Sequence, residues 1–363
     1  MEEVGVSEVL VPKLKFSKSG LVGIGILVVL TLVGLSAYIY QLALGLGVTG
    51  FNNNVIWGSY IASYIFFIGI SMAGTLISAL LRITGAEWRK PIARLAEMIT
   101  AAALLIAIPE VIVFDLGRPD RVLHAIFWGR LQSPLTWDMF VIMTYAIASY
   151  LYLYVTMIPD LSLLAGKLKN KLLDSVYSIL SINWVGKEAQ RAALERGIAV
   201  MAVALLPMAV MFHTIASWTM AMLNRAGWHS SVFGPYFVTG AIYSGVALLI
   251  TCMWIYVKRV RGAEDYISED HFRKLSLLML ALDLALAYML INDVLTSYYG
   301  GQVHELNVLN SLFFGEWAPV FWSYLTTAIL LPLTLIPLAF WTGRVMNFAF
   351  LASISANVGM YLE

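Results

Sequence analysis

Ala101-Ala-Ala-Leu-Leu-Ile-Ala-Ile-Pro109-Glu-Val-Ile-Val-Phe-Asp115-Leu-Gly-Arg-Pro-Asp-Arg121 decides how the rest of the chain is read. An apolar run beginning near residue 92 stops at Asp115, and a charged turn follows at once. Such a run is long enough to cross a hydrocarbon core of roughly 30 Å as a helix. Comparable runs recur near 20 to 45, 55 to 81, 135 to 158, 197 to 223, 232 to 257, 273 to 299, 317 to 341 and 345 to 363. The expected fold is an all-α integral membrane protein with about nine transmembrane helices. Composition agrees: 60% of residues are hydrophobic and 12% charged, against roughly 25% charged in a soluble domain. A net charge of +1 gives no reason to expect nucleic acid.

Charge sets the expected orientation. Of 23 Lys and Arg, 19 fall at the N-terminus or in the 2/3, 4/5, 6/7 and 8/9 connections. Cations are retained on the cytoplasmic side of short loops, which places the N-terminus in the cytoplasm of a multi-pass cell-membrane protein. The four remaining cations are Arg118, Arg121, Arg130 and Arg225, and the first three share the 3/4 loop with two aspartates. That loop is where a site is sought. The first run is preceded by Lys13, Lys15 and Lys18. It is too long for a cleavable signal and has no small-residue cleavage site, so a retained helix is expected.

Internal similarity subdivides the chain. Trp57-Gly-Ser-Tyr60 opens span 2 as Phe233-Gly-Pro-Tyr236 opens span 6, with Gly69 answering Gly245 and Arg82 answering Lys258. Pro134-Leu-Thr-Trp137 and Pro319-Val-Phe-Trp322 open spans 4 and 8, and Asp138 after the first is Ser323 after the second. Four helices separate the copies, so both keep one orientation, as parallel repeats do. The reading is a peripheral first helix within 1–50, a four-helix bundle over 51–225 and a second over 226–363. Gly, Pro and aromatic residues also mark helix ends without any repeat. The 4/5 connection, about 160 to 190, interleaves Leu161, Leu163, Leu164, Leu168, Leu172, Leu173 and Val176 with lysines, the pattern of an interfacial amphipathic helix resting on membrane lipid.

Asp115 meets the negative end of the span 3 dipole and so requires a cation, for which Arg118 and Arg121 are nearest. Pro119 stiffens the turn between them. A rigid, internally neutralised loop is one reading of this cluster. The functional reading adds His124 and Asp138, although an acid in the first turn of a helix is also favoured by the dipole alone. Oxidising a quinol releases two protons with two electrons, so its hydroxyls need acceptors. An imidazole titrates in the useful range. His124 and Asp138 are therefore the candidate catalytic pair. Asp115, Arg118, Arg121, Trp137 and Tyr60 are candidates for contacting the quinone. Ionisable groups inside spans are functional candidates by default, so Glu97, Glu110, Asp283, Asp293 and His213 are candidates for a proton path. Each also has a packing role open to it, and His213 an interhelical hydrogen bond. Trp57, Tyr60, Trp137, Tyr236 and Trp322 also fit an outer aromatic belt.

Phe114-Asp-Leu-Gly-Arg-Pro-Asp-Arg121, Ser133-Pro-Leu-Thr-Trp-Asp138, Gly227-Trp-His-Ser-Ser-Val-Phe-Gly-Pro-Tyr-Phe237 and Asn357-Val-Gly-Met-Tyr-Leu-Glu363 together resemble the polysulfide reductase membrane-subunit (NrfD-like) family. Within it the chain most resembles the large quinol-binding subunits of alternative complex III. The resemblance implies a subunit of a respiratory quinol-linked oxidoreductase complex, with quinone or quinol as substrate and no redox cofactor of its own. It implies electron exchange with an extracytoplasmic iron–sulfur, haem or molybdopterin partner, other membrane subunits beside it, and a quinone site on His124 and Asp138. Proton translocation is a further implied activity. Members usually carry Glu in span 7 where this chain has Asp293, and usually continue past Glu363 with at least one more helix, so a truncated end is expected.

Some chemistry is set aside by counting. Cys252 alone cannot support a disulfide framework or a cysteine-ligated cluster. His213 is the only histidine well inside a span, and membrane haem needs two facing ligands, so neither haem nor another metal is expected. The alternative class is a secondary transporter or ion-conducting protein. It should show helices broken at corresponding positions of the two halves, and Pro207 against Pro332 and Pro337 is a poor match.

Overall fold

The computed structural model describes residues 18–52, 57–168, 170–223, 225–260 and 262–363. Lys13, Lys15, Lys169 and Arg261 of the basic clusters lie outside them. Among the described residues there is no strand, and nine helices are long and apolar enough to cross a membrane. The elements are α1 Lys18–Leu44, α2 Ser59–Ile83, α3 Lys90–Pro109, α4 Val122–Phe127, α5 Pro134–Leu164, α6 Lys171–Leu180 and α7 Glu188–Ala221. They continue as α8 Phe233–Arg259, α9 Glu269–Gly300, α10 Val303–Phe313, α11 Ala318–Tyr324, α12 Leu331–Thr342 and α13 Val345–Leu362. The all-α membrane architecture expected from the sequence is present. The short helices α4 and α10 are additional.

Two spans contain a wide, π-helical turn. Pro109 ends α3 and a π segment follows at Glu110–Asp115, closed by Leu116 N–H donating to Val111 O at 3.2 Å. In span 8 the π segment Leu325–Leu330 separates α11 from α12. Such turns insert one residue and release backbone carbonyls that other groups must satisfy. They fall in spans 3 and 8, which are not equivalent positions of the two halves.

α2 is the most buried of the spans. It packs against α3, α7 and α8, and its side chains enter both large apolar clusters. Close approach needs glycine at two places: a Cβ at Gly74 would lie 2.0 Å from the Ala96 carbonyl of α3, and one at Gly359 would lie 2.3 Å from the Ala328 amide nitrogen. α1 is exposed along almost its whole length, with its last turns alone engaged. The expected boundary at 225/226 lies in the connection between α7 and α8.

The 4/5 connection differs in extent from its expectation. Span 4 continues through Pro159 to Leu164, so Leu161 is buried in the bundle, and the amphipathic helix is only Lys171–Leu180. Proline inside a membrane helix is tolerated where neighbouring groups re-satisfy the freed carbonyl. α6 starts on Asn170, whose side chain accepts from Leu172 and Leu173 N–H, and Tyr154 O–H pins its end by donating to Leu180 O at 3.0 Å. Leu172, Leu173, Val176 and Ile179 form its exposed apolar stripe.

Candidate functional site

The end of span 3 is capped by another helix. The last carbonyls of a helix lack intrahelical donors. Here Tyr38 O–H donates to Val113 O at 3.0 Å, and Gln41 Nε2 donates to Phe114 O at 3.0 Å, both from α1. Gln41 Oε1 accepts in turn from Tyr60 O–H of α2 at 2.6 Å. The Phe114 ring lies between Tyr38, edge-on at 4.7 Å, and Tyr60, stacked at 6.1 Å. α1 is therefore fixed to the bundle at the site itself. Sequence reading missed Tyr38 and Gln41 because it treated this helix as peripheral; a lone amide in a long apolar run was the available signal.

Three carboxylates lie on the π segment and at the start of α5. Asp115 closes the π segment beside Tyr60, Glu110 opens it beside the Ser63 hydroxyl, and Asp138 projects inward from α5 towards Tyr64 of α2. Glu110 Oε2, Asp115 Oδ1 and Asp138 Oδ1 are each buried with no protein hydrogen-bond partner. A buried acceptor left unpaired costs roughly 1–3 kcal/mol, so the arrangement stores unmet hydrogen-bonding capacity at one end of the first bundle. Beside Tyr60 a hollow of about 250 Å³ is lined by Thr49, Gly50, Phe51, Trp57, Gly58 and Ser59.

The charged loop behaves differently from its expectation. Arg118 does not neutralise Asp115. Its Nε and Nη2 donate to Asp120 Oδ1 and Oδ2 at 3.0 and 2.9 Å, a two-pronged exposed pair. Only Pro119 separates these partners in sequence, whereas the Asp115 carboxyl turns back into the bundle. The Arg118 guanidinium holds the Asp120 carboxyl below the usual aspartate range. Arg121 is exposed on the same loop.

His124 and Asp138 are not brought into contact among the described residues. His124 lies on the exposed side of α4 with its ring edge-on to Trp128 at 5.0 Å, in a surface patch with Phe127 and Leu131. Trp137 is also exposed and donates through Nε1 to Leu131 O, tying the 3/4 loop to the start of α5. These rings have the character of an interfacial belt. Asp138, one residue on, faces the other way because successive helical positions are turned by about 100°.

Below the carboxylates, polar side chains continue along α2. His213 of α7 is fully buried, with Nδ1 2.8 Å from Ala209 O and Nε2 3.0 Å from Ile68 O, so it joins α7 to α2. Ser71 O–H donates to Ile68 O at 2.6 Å, Tyr145 O–H donates to Ser71 O at 3.0 Å, and Thr75 meets the Tyr145 hydroxyl at 3.2 Å. Further along, Glu97 accepts from Ser78 at 2.6 Å and from Thr156 at 2.7 Å, with Tyr152 3.2 Å from Ser78. Arg82 then pairs with Glu195 at the opposite end. Asp283 and Asp293 belong to α9, Asp283 fully buried and Asp293 half-buried. Among the described residues no group of three His, Cys, Asp or Glu side chains is placed to hold a metal.

Comparison with known proteins gives a consistent picture. The profile of the family described as "Polysulphide reductase, NrfD" matches residues 47–363. A putative dimethyl sulfoxide reductase membrane subunit of Halobacterium salinarum is 30% identical over 228 residues, 62% of this chain and 49% of that protein. This chain thus spans about half the length of that relative. A selenate reductase subunit of Mesobacillus selenatarsenatis is 24% identical across 91% of this chain and 77% of its own length. The "Hdr-like menaquinol oxidoreductase integral membrane subunit" of Archaeoglobus fulgidus is 23% identical across 82% and 66%.

Proposed function

Because this chain belongs to the polysulphide reductase, NrfD, family, we propose that it is the quinone-reactive membrane subunit of a respiratory oxidoreductase complex. The observation that carries the reading is that Glu110, Asp115 and Asp138 each hold a buried oxygen lacking a protein donor. Quinol hydroxyls are donors that must lose protons as the electrons leave. Carboxylate oxygens fixed on the π segment and on α5, with the Tyr60 and Phe114 rings beside Asp115, suit that task. Asp138 and Asp115 accept the protons. His124, on the rim, takes them onward to bulk solvent. The charge imbalance of 19 cations to four supports a site end on the extracytoplasmic face and an N-terminus in the cytoplasm.

The electron partner is then an extracytoplasmic iron–sulfur, haem or molybdopterin protein, with further membrane subunits beside this chain. The relatives, two reductase subunits and a menaquinol oxidoreductase subunit, support an oxidoreductase partner. This chain supplies binding and proton acceptance, and the redox centres reside in the partners, the organisation of alternative complex III. The polar series from His213 through Tyr145 to Glu97 supports proton movement along the first bundle.

Steady-state quinol oxidation by the purified complex tests the reading. D138N is expected to lose turnover while the complex still assembles, and H124Q to keep a larger share of it. Wild-type quinol kinetics in D138N would remove the basis of the proposal.

A further inference from the structure

The second bundle contains an acid that quinol chemistry in the first does not use. Asp283 of α9 is completely inaccessible, and neither carboxyl oxygen has a protein hydrogen-bond partner. Among the described residues no Lys, Arg or His forms an ion pair with it. Tyr243 from α8 and Tyr324 from α11 lie within its electrostatic reach, though neither hydroxyl is hydrogen-bonded to it. Tyr324 is hydrogen-bonded to Tyr236, which the Glu363 carboxyl approaches from the end of α13. Tyr243 is already committed, donating to Ala328 O at 2.5 Å. That carbonyl is free because Pro332, four residues on, has no N–H to give it.

An isolated ionised carboxylate in an apolar interior is so costly that the group is neutral instead. We propose that Asp283 is a proton-binding site enclosed in the second bundle, its carboxyl carried as the neutral acid between the Tyr243 and Tyr324 hydroxyls. The chemistry is binding of one proton at a carboxylate oxygen, with no electron transfer. The site stands apart from the quinone reading, since none of its residues is Glu110, Asp115 or Asp138.

Infrared spectroscopy of the full chain in lipid nanodiscs at neutral pH tests this, in a D115N/D138N background and with aspartate labelled at the side-chain carboxyl carbon by carbon-13. A labelled carbonyl band of a protonated acid is expected, absent in D283N. D283E should replace it with an unlabelled band, which keeps the test decisive if D283N fails to fold. A spectrum without a labelled acid band would overturn the proposal. So would a band that persists in D283E, or one that appears only when sodium is withdrawn, since an ionised Asp283 would then be holding sodium. None of these readouts depends on quinol turnover, so the two readings fail separately.

Discussion

The π segment at Glu110–Asp115 and the one at Leu325–Leu330 use the same device with opposite results. Each frees backbone carbonyls, each has one captured by a tyrosine from a neighbouring helix, and each lies near a carboxyl without a protein donor. The Glu110–Asp115 segment is at a helix end. Its carboxylates sit behind an exposed loop, and the cap comes from the last turns of α1, which is otherwise exposed. The Leu325–Leu330 segment is internal to a span, Ser355 donates to Thr327 O at 2.7 Å as well, and Asp283 is sealed. A widened helix thus makes an open site at a terminus and a closed one in mid-span.

The largest effect that sharpens this contrast is kinetic. General acid–base groups contribute about 10²-fold or more, so D138N and D115N are each expected to lower quinol turnover of the complex by roughly that factor. If they work as a unit, the double variant should lose little more, since such losses are non-additive. S323A, at the matching place in the second bundle, should leave turnover within a factor of about two, because the hydroxyl there only donates to Pro319 O. Additive losses, or a large effect of S323A, would break the comparison.

The next effect is on stability. Y243F removes the donor to the Ala328 carbonyl and leaves a buried acceptor unpaired, for an expected loss of roughly 1–3 kcal/mol, read as a lower unfolding midpoint in detergent. Q41A removes one donor and one acceptor at the rim of the first bundle and is expected to cost about 1 kcal/mol. It should also free α1, seen as faster amide exchange at Val113 and Phe114. Equal costs for the two variants would show that both segments are alike in how tightly they are closed.

The smallest effect concerns the loop. Asp120 is held below the usual aspartate range by Arg118, so its contribution is present above the unfolded-state value and fades as pH falls through the lower folded one. D120N should therefore lower the melting temperature slightly at neutral pH, since exposed pairs contribute little, and match the wild type once pH falls below the folded-state range of Asp120. A large drop at neutral pH would mean that the pair also organises Asp115.

Helix number and class were legible because apolar runs of membrane length are an unambiguous signal, and the candidate acids were legible because charges in such runs are rare. What could not be read was direction. Asp115 and Arg118 are close in sequence, yet one turns inward and the other outward to Asp120. His124 and Asp138 are separated by a turn that leaves one on the surface and one in the bundle. The π segments were also hidden, since Pro109 and Pro332 announce a lost hydrogen bond without saying whether a helix kinks, ends or widens. The tyrosines that satisfy the freed carbonyls come from helices distant in sequence, Tyr38 to Val113 and Tyr243 to Ala328.

Photolabelling of the purified complex by a quinone carrying a photoreactive group on its ring tests the central assignment most directly. Labels displaceable by excess quinone should map to peptides around Tyr38–Gln41, Tyr60–Tyr64, Glu110–Asp115 and Asp138. Displaceable labels confined to the second bundle around Tyr243, Asp283 and Tyr324 would contradict the account.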